Sequence, residues 1–396
     1  MNKPFLAHQS KPYISKITFK NNQRQSLKVI QRIGIGKFYF SIYGRLLFFT
    51  TIILTVIGVF ILYESSSYTA LLNIGDKYSY VKNQIVWAML GVIVAVVVSQ
   101  LPKRFFHLLA LPSLLVTIAL LAIVFLPGIG LELKGANRWI DLGFFVIQPS
   151  ELLKVSLSVY LAAWLSQKEK GRLLAFLILF SLCVGLVVLE PDMGSASIIA
   201  VTAVVIYFLS NAKIKEILLI FLILIAAAVA MIKLEPYRVE RFLAFKNFDS
   251  QDLSSSSYHI RQVLIALGNG GFAGAGIGNS IQKYAYLPEN TTDSIFAIYA
   301  EETGFLGSVF LISLIVIQMI LGFAISVQSS DNFSKLLAAG IVTFMSAQTI
   351  FNLASQAVLM PLTGVPLPFI SYGGSSMIIN YISIGILLNI SRQTNK

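Results

Sequence analysis

The chain has 396 residues, of which 56% are hydrophobic and 12% charged, with a mean hydropathy of +0.78 and a formal net charge of +12. That is far more apolar sequence than a soluble core uses, so a soluble enzyme is excluded. The basic excess gathers in the N-terminal tail and between apolar runs, which is the pattern of membrane topology and not of nucleic-acid binding.

Residues 1–42 read as a basic cytoplasmic tail. Lys3, Lys11, Lys16, Lys20, Arg24, Lys28, Arg32 and Lys37 occur there without an acid, which keeps such a segment inside. A tail of this kind rests on anionic membrane lipids at about 1 kcal/mol per Lys or Arg near the surface. Leu27, Ile30 and Ile33 recur at helical spacing, as in a short interfacial helix. Some forty polar and basic residues precede the first apolar run, so no cleavable signal peptide is readable.

Apolar runs long enough to cross a bilayer begin around Tyr43, Asn83, Phe105, Ser150, Arg172, Gly194, Ile214, Ser294, Phe333 and Ser371. They lack the strict alternation of a barrel strand. The expected fold over residues 43–392 is therefore an all-α integral membrane bundle of about ten transmembrane helices. Threading them from an inside N-terminus puts Lys103, Arg104, Lys168, Lys170, Arg172, Lys213, Lys215, Lys335, Arg392 and Lys396 on the cytoplasmic side, with both termini there. Outer connections are the long ones: Gly128 to Pro149, and residues 235–293 between helices 7 and 8. Long loops in compact proteins carry function, so the active face is expected outside. The single Cys183 excludes an internal disulfide.

Chemistry-bearing residues follow in chain order. Arg138 and Trp139 precede the fourth span, where an Arg beside an aromatic suits phosphate or sugar recognition or interfacial anchoring. Gln148-Pro149 suits a helix start, and Glu151 and Lys154 stand three apart on that helix, within pairing distance. Glu190-Pro191-Asp192 lies between the fifth and sixth spans, and its acids suit a cap on the next helix. Gly268-Asn269-Gly270-Gly271 resembles a dinucleotide fingerprint only superficially, because no parallel sheet precedes it. Leu287 to Asp293 carries Glu289 and Asp293 at the end of the large loop, and Glu301, eight residues further, falls on nearly the same helix face as Asp293. Those three acids are expected to converge on one cavity. Asn352 and the Pro-rich segment Pro361 to Ser376, which contains Ser371, Gly373 and Gly374, close the set.

Four of these stretches, in order, resemble the SEDS family, the FtsW, RodA and SpoVE group: Gly135 to Ile140 with Gln148-Pro149-Ser150-Glu151, Leu189 to Asp192, Tyr286 to Glu289 with Thr292-Asp293, and Leu367 to Ser376. The resemblance runs from about Tyr43 to Arg392. It implies a peptidoglycan glycosyltransferase of the cytoplasmic membrane that polymerises lipid II beside a class B penicillin-binding protein and other proteins of the division or elongation complex. It also implies that Asp293 is the essential acid, and that Arg138, Lys154, Glu151, Glu289 and Gln262 belong to its polar cavity. Glu301, Ser371, Gly373 and Gly374 are further substrate-binding candidates. Asn290-Thr291 replaces an Ala-His that many relatives carry, and Thr303 replaces a Leu.

The residues suit that chemistry. Joining two lipid diphosphates takes cations near the leaving group, for which Arg138 and Lys154 stand, and a base for the attacking hydroxyl, for which Asp293 stands. A divalent cation, Mg or Mn, bridging Asp293 and diphosphate is an alternative role for the same acid. Two other classes fit the composition: a lipid II flippase, against which the acids cluster at one face and no pair of broken helices is seen, and a non-catalytic scaffold.

Overall fold

The computed structural model describes residues 41–126, 130–133, 136–141, 143, 145–167, 171–234, 239, 245 and 255–392. The expectations for the basic tail, for Gly135 and for most of 235–254 lie outside the described residues.

Eleven helices follow one another among the described residues: α1 (Ile42–Ile74), α2 (Ser79–Gln100), α3 (Lys103–Ile123), α4 (Pro149–Leu165), α5 (Leu173–Leu189), α6 (Met193–Leu209), α7 (Ile214–Leu234), α8 (Ser255–Gly270), α9 (Ile295–Val327), α10 (Asn332–Gln356) and α11 (Gly374–Ser391). Each apolar run carries a helix, and α8 is an addition inside the large loop. By length and composition α1, α2, α3, α9, α10 and α11 are able to cross a membrane, whereas α5 and α6 are shorter apolar helices. The chain is a multi-pass membrane protein.

Local chemistry sets the helix starts. Pro149 opens α4, where its missing N–H costs nothing. Asp192 caps α6 by accepting from the Ser195 amide at 2.9 Å, and Asp331 caps α10 through Ser334 in the same way. One element is absent from the sequence reading. Gly130–Leu133 (β1), Ala136–Asp141 (β2) and Val146–Ile147 (β3) form a small antiparallel sheet in the order β1-β2-β3, bulged between Leu131 and Glu132.

Lipid offers no hydrophobic drive between helices, so close approach and buried hydrogen bonds hold the bundle. The Tyr381 ring lies within 2.3 Å of where a Cβ on Gly91 would stand, and the Ala95 carbonyl 2.7 Å from one on Gly385, which packs α11 on α2. Tyr381 also shares a 2.8 Å hydrogen bond with Thr55 of α1, and Gln318 of α9 donates to Thr51 at 2.8 Å. Helix α10 is enclosed along most of its length, while α2 and α3 present Val86, Met89, Ile93, Leu108, Leu115 and Val116 outward.

Helix α9 breaks at Gly304, whose φ of 66° and ψ of −162° suit glycine alone. The break frees backbone groups inside an apolar helix, and the loop after α8 takes them up. Ala275 and Gly276 amides donate to the Glu301 and Glu302 carbonyls at 2.9 and 3.0 Å. In return the Phe305 and Leu306 amides reach the Gly271 and Phe272 carbonyls at 3.0 and 3.3 Å. The glycine-rich stretch that resembled a nucleotide fingerprint thus runs into this backbone patch.

Candidate active site

Asp293 sits on the turn before α9, half-buried, with Ser294 buried behind it. Its main chain is fixed first. The Asp293 carbonyl accepts from Asn352 Nδ2 and from Gln356 Nε2, both at 2.8 Å and both on α10. Its carboxylate lies beside Gly364, with Oδ2 3.4 Å from where a Cβ on that residue would stand. Glu289 has a φ of 53° and closes the turn: its carbonyl accepts from the Thr292 and Ser294 amides at 3.1 and 3.0 Å, and its carboxylate from the Thr292 hydroxyl at 3.0 Å.

The Pro-rich segment is the hub. Ser371 is buried, donates to the Thr292 carbonyl at 2.6 Å and accepts from the Leu367 amide at 2.8 Å. The Tyr372 amide reaches the Thr291 carbonyl at 2.9 Å, while Gln84 of α2 receives the Gly373 amide at 3.3 Å and donates to the Ser371 carbonyl at 3.0 Å. Gly374 sits against Trp87. At the other end α6 comes so near that a Cβ on Gly194 would meet Val365 Cγ2 at 2.3 Å and the Thr363 carbonyl at 2.6 Å.

The expected Glu151–Lys154 pair forms at 2.7 Å, with the lysine side chain 0% and the glutamate 3% exposed. Lys154 also donates to Gln348 Oε1 at 2.6 Å, and Gln348 Nε2 donates to the Pro366 carbonyl at 2.9 Å. The pair therefore reaches the hub through one α10 amide. Arg138 on β2 grips the carbonyls of Glu190 and Pro191 with Nε and Nη2, at 2.8 and 2.6 Å. Gln148 Nε2 reaches Asp192 at 3.2 Å. Burial, reinforced by the Asp192 charge and opposed by Arg138, pushes the Glu190 carboxyl up to about 8.

Glu301 serves a different set. It accepts from Ser280 Oγ, from the Gln282 amide at 3.2 Å and from Asn269 Nδ2 at 3.2 Å. Beside it Lys283 pairs with Glu302 at 3.1 Å and with Glu64 of α1 at 3.3 Å. Burial disfavours the Lys283 ammonium, but Glu302 and then Glu64 outweigh it and hold the pKa above the ordinary lysine value. Gln262 is half-buried on α8, one turn from His259, whose Nε2 lies 2.6 Å from Ser294 Oγ.

Sequence reasoning missed Gln348, Gln356, His259, Gln84, Glu64 and Lys283. Only the first two left a signal: with Asn352 they are three amides spaced by four in the second half of a long apolar run.

The family model described as "Cell cycle protein" (FtsW, RodA, SpoVE) matches residues 44–396. The probable peptidoglycan glycosyltransferase FtsW of Trichlorobacter lovleyi is 34% identical over 88% of this chain and 93% of its own length. Stage V sporulation protein E of Bacillus subtilis is 33% identical over 88% and 96%. Among solved structures, a chain of a peptidoglycan synthase complex that coordinates polymerization and crosslinking superposes with a TM-score of 0.73 at 26% identity, covering 88% of this chain and 98% of that one. The rod shape determining protein RodA of Thermus thermophilus gives 0.66 at 25% identity, covering 88% and 97%. Sequence, fold and the ordered motifs agree, and the chain belongs to the FtsW, RodA and SpoVE family.

Proposed function

We infer that this chain is a peptidoglycan glycosyltransferase that polymerises lipid II at the outer face of the cytoplasmic membrane, with a class B penicillin-binding protein as its crosslinking partner. The observation that carries the reading is the setting of Asp293. Its main chain is fixed by two α10 amides while its half-buried carboxylate stands beside the Pro-rich hub.

In this mechanism Asp293 accepts the proton of the 4-hydroxyl on the acceptor's N-acetylglucosamine. The oxygen attacks the donor's anomeric carbon, the bond to the lipid diphosphate breaks, and the configuration inverts. Base assistance of this kind is worth about 10²- to 10⁴-fold. Arg138, anchored on two carbonyls, is the cation for the diphosphate. Lys154 is enclosed, and acts through Gln348 on the hub. Among the described residues no three His, Cys, Asp or Glu side chains group as a metal cage. Asp293 is the residue that would hold a divalent cation there, and such an ion would supply neutralisation of the leaving diphosphate.

The test is lipid II polymerisation by the purified protein, alone and with its transpeptidase, for wild type and Asp293→Asn. Chains from wild type that disappear in the variant support the reading. Absence of chains from both, with the partner bound, sinks it and makes lipid II scrambling in liposomes the next measurement. The break in α9 is the feature a transporter reading would use, yet its open backbone groups are taken by residues 271–276 and not left for an ion.

A further inference from the structure

Gln348, Asn352 and Gln356 stand four residues apart on α10 and so form one row along the helix. They are 0%, 1% and 1% exposed. A primary amide inside a membrane helix is costly unless both its oxygen and its nitrogen are paired, and here each is. Gln348 accepts from Lys154 and donates to the Pro366 carbonyl. Asn352 donates to the carbonyls of Asp293 at 2.8 Å and Val365 at 2.7 Å, and accepts from Gln356 at 2.7 Å. Gln356 donates again to the Asp293 carbonyl at 2.8 Å and accepts from the Ala297 amide at 2.9 Å. That amide belongs to the first turn of α9 and is shared with the Ser294 carbonyl at 3.0 Å.

We propose that this amide row is the positioning device of the glycosyl transfer, fixing the Asp293 main chain, the hub carbonyls at 365 and 366 and the Lys154 ammonium against a single rigid helix. The proposal rests on the reading of Asp293 as the base. Two donors on one carbonyl leave the Asp293 backbone no other place, and the row achieves this without using the carboxylate. Gln348 extends the same ruler one turn further to the only cation of the Glu151–Lys154 pair. Because the reacting groups must be placed to within about an ångström, loss of a row member costs rate by up to about 10²-fold.

The experiment measures kcat and KM for lipid II, their pH profiles and the melting temperature, using the full chain with its transpeptidase. Each variant leaves one donor on the Asp293 carbonyl, but Asn352→Leu also frees the Val365 carbonyl of the hub, whereas Gln356→Met also frees the Ala297 amide, which keeps the Ser294 carbonyl. Tyr381→Phe, which loses only the Thr55 hydrogen bond, is the stability control. Expected is a fall in kcat of roughly 10²-fold for Asn352→Leu and about 10-fold for Gln356→Met, with KM within about twofold and the acid limb of the kcat profile displaced. Tyr381→Phe lowers the melting temperature and leaves kcat and the profile in place. Wild-type kcat in Asn352→Leu, or a comparable loss of kcat in Tyr381→Phe at a similar fall in melting temperature, overturns the row while leaving Asp293 as the base. Activity of Asp293→Asn equal to wild type overturns the base and the row together.

Discussion

The two ends of the short helical segment between Asp293 and Gly304 are anchored from different elements, α10 at one end and the loop after α8 at the other. At Asp293 the α10 amides take the main-chain carbonyl. At Glu301 and Glu302 the loop after α8 takes the main-chain carbonyls through the Ala275 and Gly276 amides and takes the carboxylates as well: Ser280, Asn269 and the Gln282 amide on one, Lys283 on the other. The α10 anchor on Asp293 is on its main chain, so changing its side chain leaves that anchor standing. An acid held by its carboxylate is part of the frame.

The largest effect that tests this contrast is Asp293→Asn. Polymerisation falls by about 10²- to 10⁴-fold while the melting temperature stays at the wild-type value, read by glycan-chain gels and by thermal unfolding of the same sample. A melting temperature that collapses with activity would place Asp293 in the frame as well. At the other end, Lys283→Met leaves the buried Glu302 and the half-buried Glu64 without their cation, a change that costs about 3 to 5 kcal/mol, and denaturation of the purified protein should register it. Gly304→Ala comes next. Alanine in that backbone region is strained by about 1 to 3 kcal/mol, and its Cβ would stand 2.3 Å from the Gly274 amide nitrogen; the melting temperature should fall, with protease cleavage appearing first in residues 271–283.

The smallest effect is in pH. The Lys283 pKa is higher in the folded chain than the ordinary lysine value of 10.5, so its contribution is fully present below that value and is lost as pH rises through the folded pKa. Stability should be flat in this respect from neutral pH to about 10 and decline above it. Lys283→Met should lack that alkaline decline, and an identical decline in the variant would assign it to other groups.

Much of the site was legible because its signals are local. Glu151 and Lys154 are neighbours on any helix, so their spacing predicts the pair that forms. Pro149 after Gln148 and Asp192 before Ser195 mark helix starts through groups within one turn. The setting of Asp293 is another matter: nothing adjacent to it tells that Asn352 and Gln356 hold its carbonyl, although the four-residue spacing of the amides marks one face. Glu301 shows the limit of helical spacing as an argument. Its place on nearly the same face as Asp293 predicts a shared cavity, yet its partners come from the glycine-rich loop, which the break at Gly304 admits to the helix.

The sequence by itself determined the membrane bundle, the helix starts, the ordered motifs and the family, because hydropathy, capping and side-chain spacing act over a few residues. Only the tertiary structure decided which groups meet. The Glu64–Lys283 bridge joins residues 219 apart, the small sheet forms where the chain turns back on itself, and the α10 amides find main-chain acceptors on two other segments. In an apolar bundle each buried donor must find its acceptor wherever the packing brings one, and that choice is made in three dimensions.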